Sequence, residues 1–166
     1  MARGNYLCLI YLIFTNLIFL NCGSNIRGQE NVLAFDTLSD GRLLISGMLI
    51  NGKKNGVWNS YYDNGQFQFV ETYINDTLNG PWISYRDNGN IFTLGEFKNN
   101  LEEGEWLHFG EYPNHIAVKR YYSNGKKIGT WEYYDHHGRL ELKIKYGKNE
   151  VEEILVDNRM PVPDQQ

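Results

Sequence analysis

From Val32 onward the chain sets apolar against polar residues with a period of two, in short runs broken at regular intervals by Asn, Asp and Gly. Leu140, Leu142, Ile144 and Tyr146 fall on one side of such a run, and Glu141, Lys143 and Lys145 on the other. That is the pattern of an antiparallel strand with one covered face. Phe67, Phe69 and Tyr73 read as one face of another strand. Outside an apolar segment near the N-terminus, no stretch has helical periodicity. The pattern predicts an all-β protein.

The breaks are of two kinds. One set is Ser39-Asp40-Gly41, Asp63-Asn64-Gly65, Asp87-Asn88-Gly89 and His136-His137-Gly138. In this set Asn-Gly and Asp-Gly favour a type I′ turn, whose two central residues both take positive φ. The second set is Asn51-Gly52, Asn75-Asp76, Asn99-Asn100 and Asn124-Gly125. Each unit is therefore expected to be a β-hairpin. A lone hairpin cannot bury its apolar face, so the units must stack.

The units repeat in register. Trp58, Trp82, Trp106 and Trp131 lie 24, 24 and 25 residues apart, and Gly56, Gly80, Gly104 and Gly129 each precede one of them by two. Tyr61, Tyr85, Phe109 and Tyr134 follow by three, and Tyr73, Phe97, Tyr122 and Tyr146 form a later aromatic column once an insertion near Asn114 is allowed. The frame extends back one unit, with Ala34 in the tryptophan column. This gives about five tandem hairpins of ~24 residues in an elongated single-layer antiparallel sheet. Equivalent tryptophans should lie two strands apart, roughly 9–10 Å, with the intervening aromatic filling the gap as a structural core. The glycine before each is expected to supply a left-handed or closely approached backbone.

Residues 6–20 (YLCLIYLIFTNLIFL) follow the single charge of Arg3 and are shorter than the ~20 residues that span a bilayer. They match the core of an export signal. The junction Phe19-Leu20-Asn21-Cys22-Gly23-Ser24 resembles a bacterial lipobox, in which the cysteine becomes the acylated first residue; Phe19 and Asn21 replace its usual aliphatic and small residues. Two or more acyl chains make a stable anchor. The expected organisation is a lipoprotein-type signal over 1–21, a polar tether over 22–31, the repeat domain over 32–155 and a disordered tail over 156–166. An uncleaved N-terminal membrane anchor is the alternative for residues 1–21.

Composition narrows the function. The 166 residues carry a net charge of −4, and −5 once Arg3 leaves with the signal, which speaks against nucleic acid as a partner. Aromatics are 14% of the chain, against which two cysteines cannot build a disulfide scaffold or a four-ligand zinc site.

The unit N-G-x-x-x-G-x-W-x-x-Y-Y-x-x-G, at Asn51 to Gly65 and Asn124 to Gly138, resembles the MORN repeat variant of bacterial proteins, many of them lipoproteins and some of them YwqK-type and antitoxin-like. The resemblance covers residues 32–155. It implies an elongated curved sheet, protein–protein contact and no catalytic residue to carry over. Ordinary MORN repeats have glycine where this chain has tryptophan, so their lipid binding and scaffolding transfer poorly. Gly-x-Trp-x-Tyr-Tyr at Gly129 to Tyr134 is also similar to choline- and glucan-binding repeats, whose paired aromatics cage a quaternary ammonium or stack on a sugar; those repeats are shorter and contain a Gly-Trp pair absent here.

Candidate chemistry is sparse. His108, His115, His136 and His137 form no H-x-H or H-E-x-x-H spacing. Glu102, Glu103 and Glu105 lack the spacing of a calcium loop. No catalytic site, metal or cofactor is expected. The site residues are then Cys22 for lipidation, the tryptophan and glycine columns for the core, and Phe92, Leu94 and Tyr121 as scattered apolar side chains on the opposite, polar face, where a protein partner would dock. The sequence reads as a non-enzymatic repeat protein at the bacterial cell envelope, held to the membrane by its lipid anchor. An envelope polysaccharide- or choline-type binding module and an antitoxin-like binding partner are the alternatives.

Overall fold

The computed structural model describes residues 9–12, 17–21, 30–112, 115–147 and 149–159. Cys22 and most of the expected tether lie outside the described residues, as does the tail beyond Arg159. The rest is all-β. The strands are β1 Leu9–Leu12, β2 Leu17–Asn21, β3 Asn31–Thr37, β4 Leu43–Ile50, β5 Lys53–Tyr61, β6 Phe67–Ile74, β7 Thr77–Tyr85, β8 Ile91–Lys98, β9 Leu101–Phe109, β10 Ile116–Ser123, β11 Lys126–Tyr134, β12 Leu140–Gly147 and β13 Glu150–Asp157. They form one open antiparallel sheet in which every strand pairs only with its neighbours in the chain. The eleven strands from β3 onward are the expected hairpin array, and β13 carries it to Asp157. Two short strands from the apolar N-terminal segment extend the sheet beyond β3, with Leu20 opposite Leu33 and Leu17 opposite Asp36.

The turn types are distributed otherwise than the Asn-Gly and Asp-Gly pairs suggest. Type I′ geometry belongs to the two-residue turns: Asn51 and Gly52 have φ of 52° and 75°, Asn75 and Asp76 49° and 65°, and Asn99 and Asn100 51° and 64°. In the longer loops only the glycine is left-handed, as at Gly65 (83°) and Gly89 (82°). Gly65 N–H donates to Tyr62 O at 2.8 Å and Tyr62 N–H to Gln66 O at 2.8 Å. This is a tight turn closed by a left-handed glycine, which a loop of three residues favours.

Each hairpin also carries bulges that the period-two reading does not contain. Ser60 pairs with Phe69 but Tyr61 with Phe67, leaving Gln68 as the extra residue; Phe92 and Glu141 are its equivalents in later repeats. An extra residue reverses the alternation beyond it. Phe67 and Leu140 therefore leave the face of Phe69 and Leu142, where simple alternation put them, and pair with Tyr61 and Tyr134 on the other. A second bulge lies beside each glycine before a tryptophan. Gly56, Gly80, Gly104 and Gly129 all have positive φ, from 63° to 125°, as expected.

Two seams of hydrogen bonds tie each hairpin to the next. At one edge Asp76 N–H donates to Lys54 O (3.0 Å) while Lys54 N–H donates to Asp76 Oδ1 (2.7 Å); Asn100 and Leu78 repeat the exchange. At the other, Tyr62 Oη donates to Tyr85 O at 2.9 Å, and Arg86 Nη2 to Phe109 O at 2.8 Å. The partners are 22 or 23 residues apart, one repeat.

Candidate interaction surface

The pairings sort the side chains onto two faces. Trp58, Trp82, Trp106 and Trp131 share one, and each lies over the strand before it. Trp106 sits on Gly95 of β8 and Trp58 on Gly47 of β4, so tightly that a Cβ at either glycine would overlap the indole. The equivalent positions beneath Trp82 and Trp131 hold Glu71 and Arg120. Trp82 Nε1 donates to Glu71 at 3.1 Å, and the Arg120 guanidinium lies 5.2 Å from the Trp131 ring centre.

The ring ladder is tighter than two-strand spacing suggests. Trp82 and Trp106 approach directly at 5.6 Å between centroids, with Phe97 edge-on to both. Tyr122 then links Trp106 to Trp131, and Tyr146 closes the row at 4.7 Å. Leaning over a glycine lets an indole reach the next ring instead of waiting for a filler. Trp58, Trp106 and Trp131 are 3–5% exposed, whereas Trp82 is only half-buried. Gly47 and Gly95 went unnoticed in the sequence, though they stand 48 residues apart, each eleven before a tryptophan.

Beside the ladder on the same face runs a buried polar row. Ser84 and Thr93, each 4% exposed, are paired across β7 and β8. Thr93 Oγ1 is 2.8 Å from His108 Nδ1, and Arg120 Nη1 donates to His108 Nε2 at 3.2 Å. Since the guanidinium only donates, Nε2 accepts and the ring is the neutral Nδ1–H tautomer. Burial, and secondarily the Arg120 charge, hold His108 below its ordinary range. An imidazole depressed in the fold stabilises it fully above the unfolded value of about 6.5, and that contribution is lost as pH falls below it. Thermal midpoints recorded between neutral and mildly acid pH should drop for the parent and drop less for His108→Gln. Parallel curves would refute His108 as the source of the acid sensitivity; Glu102, which burial pushes up, acts in the opposite sense and gains as pH falls.

The opposite face changes character along the sheet. From β8 onward it carries ion pairs and charge-assisted hydrogen bonds. Lys119 Nζ lies 3.7 Å from Glu105, Lys143 Nζ 2.8 Å from Glu132, and the Tyr121 and Tyr134 hydroxyls donate to those same carboxylates at 2.6 and 2.7 Å. The bond to Glu105 pushes Tyr121 up to about 12. Leu94, half-buried between Ile83 and Leu107, and Tyr121, between Glu105 and Ile128, lie on this face, as alternation places them. Phe92 is set apart. As a bulge residue it turns its ring edge-on to His108 at 6.3 Å, under the Arg86 guanidinium at 4.4 Å. Simple alternation from Leu94 could not show this, because the bulge lies between them.

Among the described residues no three His, Cys, Asp or Glu side chains form a group able to hold a metal ion. His136 and His137 lie against each other in their turn, 3.8 Å between ring centres and tilted by 43°. No family model matches the chain, and no curated protein matches it.

Proposed function

We propose that this is a non-enzymatic repeat protein, anchored at the bacterial cell envelope through Cys22, whose sheet presents a surface to a protein partner. The observation that carries the reading is the face of β8 to β12, where half-buried Leu94, Leu107 and Tyr121 sit among ion-paired lysines and glutamates. Apolar anchors within a polar rim suit a protein interface. The tryptophans support this over a sugar- or choline-binding module, because Trp82, Trp106 and Trp131 lie in a packed row of rings and Trp58 is buried on Gly47, rather than standing open.

Crosslinking in the native envelope, followed by recovery of the protein, tests the reading. Leu94→Ser together with Tyr121→Ser should lower the thermal midpoint modestly and lose the crosslinked partner at temperatures well below the variant's own midpoint, where its sheet is folded. Recovery of the same partner by this variant refutes the surface. The anchor has a separate test in fatty-acid labelling: the parent should take up label and Cys22→Ser should not. An unlabelled mature chain starting at another residue refutes the anchor and leaves the surface standing.

A further inference from the structure

The same face is different over β3 to β7. There the pairings place Leu33, Met48, Val57, Phe67 and Ile74, exposed by 39–53%. Among the described residues Lys53 is the one charged side chain that the register puts with them. On its β3 to β5 side is a hollow of about 540 Å³, lined mainly by Leu33, Phe35, Leu43, Met48 and Val57. The tryptophan face covers itself with its own rings; this half of the other face does not. Exposed apolar surface on this scale calls for a cover.

We infer that the cover is a second copy of this chain, packed face to face about a two-fold axis running along β5. Three observations fit that occupant. First, the size is sufficient. Five strands about 4.8 Å apart, of seven to nine residues rising about 3.3 Å each, make a patch of roughly 600 Å² per copy. About 1,200 Å² in total reaches the lower end of stable interfaces. Second, the patch is self-complementary, as a two-fold contact requires. An axis along β5 lays β6 of each copy over β4 of the other at the same height along the strand. Phe67, 41% exposed and stacked on Tyr61, then meets the Leu43 end of the partner's hollow. Third, the patch carries no carboxylate: its one charge, Lys53, stands at the end of β5 and meets its counterpart at the exposed margin of the contact, where a long side chain keeps its ammonium in water, and the glutamates of β9 and β11 stay outside. The result is a two-layer sandwich over half of each sheet, with Leu94 and Tyr121 left free.

The axis places Val57, 53% exposed, against its own counterpart. The full chain, purified in detergent, is expected to sediment as a dimer that dissociates on dilution. Val57→Asp should weaken that dimer by roughly a hundredfold, because it buries two unpaired carboxylates at the axis. Its thermal midpoint measured as a monomer should stay unchanged. Under mild oxidation Val57→Cys should give a peptide linked from position 57 to position 57, distinguishable by mass from any link through Cys8 or Cys22. A parent that is monomeric at every concentration overturns the inference. So does a dimer indifferent to Val57→Asp, the result expected of two chains sharing a micelle. Neither outcome bears on the Leu94 and Tyr121 surface or on the anchor.

Discussion

Trp106→Ala is expected to cost about 3–5 kcal/mol, the range for removing a buried aromatic, and to lower the thermal midpoint by on the order of 10–20 °C. Trp106 is 4% exposed and touches Trp82, Phe97 and Tyr122, so it joins the two halves of the aromatic row. Trp82→Ala should cost distinctly less, although sequence alone makes the two residues equivalent. Trp82 is half-buried, and its loss leaves Phe97 still packed on Trp106. Differential scanning calorimetry of the two variants gives the ranking. Equal midpoints for both would mean that the row does not carry its load through Trp106.

Gly95→Ala should destabilise by about 1–3 kcal/mol although it adds a single methyl group. The new Cβ would overlap the Trp106 indole, which has β8 backbone beneath it and rings on either side. The cost arises from displacing Trp106 and not from the backbone, because Gly95, unlike Gly104, is absent from the positive-φ residues. The two mutations should therefore be strongly non-additive: on a Trp106→Ala background Gly95→Ala should be nearly free. Gly104→Ala should retain its cost on that background, since its penalty is left-handed φ at 70°. Denaturant midpoints for the double-mutant cycle measure this directly, and an additive Gly95 effect would contradict the packing described.

The repeat was legible because its columns answer to single-residue requirements. A glycine must stand where φ is positive and a large ring where the face is covered, and both recur every 24 residues. The bulges were not legible. An extra residue such as Gln68, Phe92 or Glu141 has no composition of its own, and it reverses alternation without disturbing the period of the columns. Phe67 and Phe92 were misplaced for that one reason, while Leu94 and Tyr121, beyond the bulge, fell on the expected face. The turns were misjudged because Asn-Gly suits both a two-residue turn and the end of a longer one; the loop length decides between them. Gly47 and Gly95 were hidden by Glu71 and Arg120 in the same column, where a tryptophan rests on a carboxylate or a guanidinium instead of on bare backbone.

The seams that join each hairpin to the next also bear on how the chain reaches this state. Among the described residues no pairing spans more than neighbouring strands, and the bridging hydrogen bonds span about one repeat. Each step of assembly thus closes a short loop, for which the entropic cost is small and nearly the same every time. Folding can begin at any hairpin and advance outward, and it gains a template edge with each addition. The middle repeats, ordered on both sides, should hold their amide protons longest, and protection should fade toward β3 and β13. A chain emerging from the ribosome N-terminus first can lay down its sheet strand by strand, without waiting for its far end.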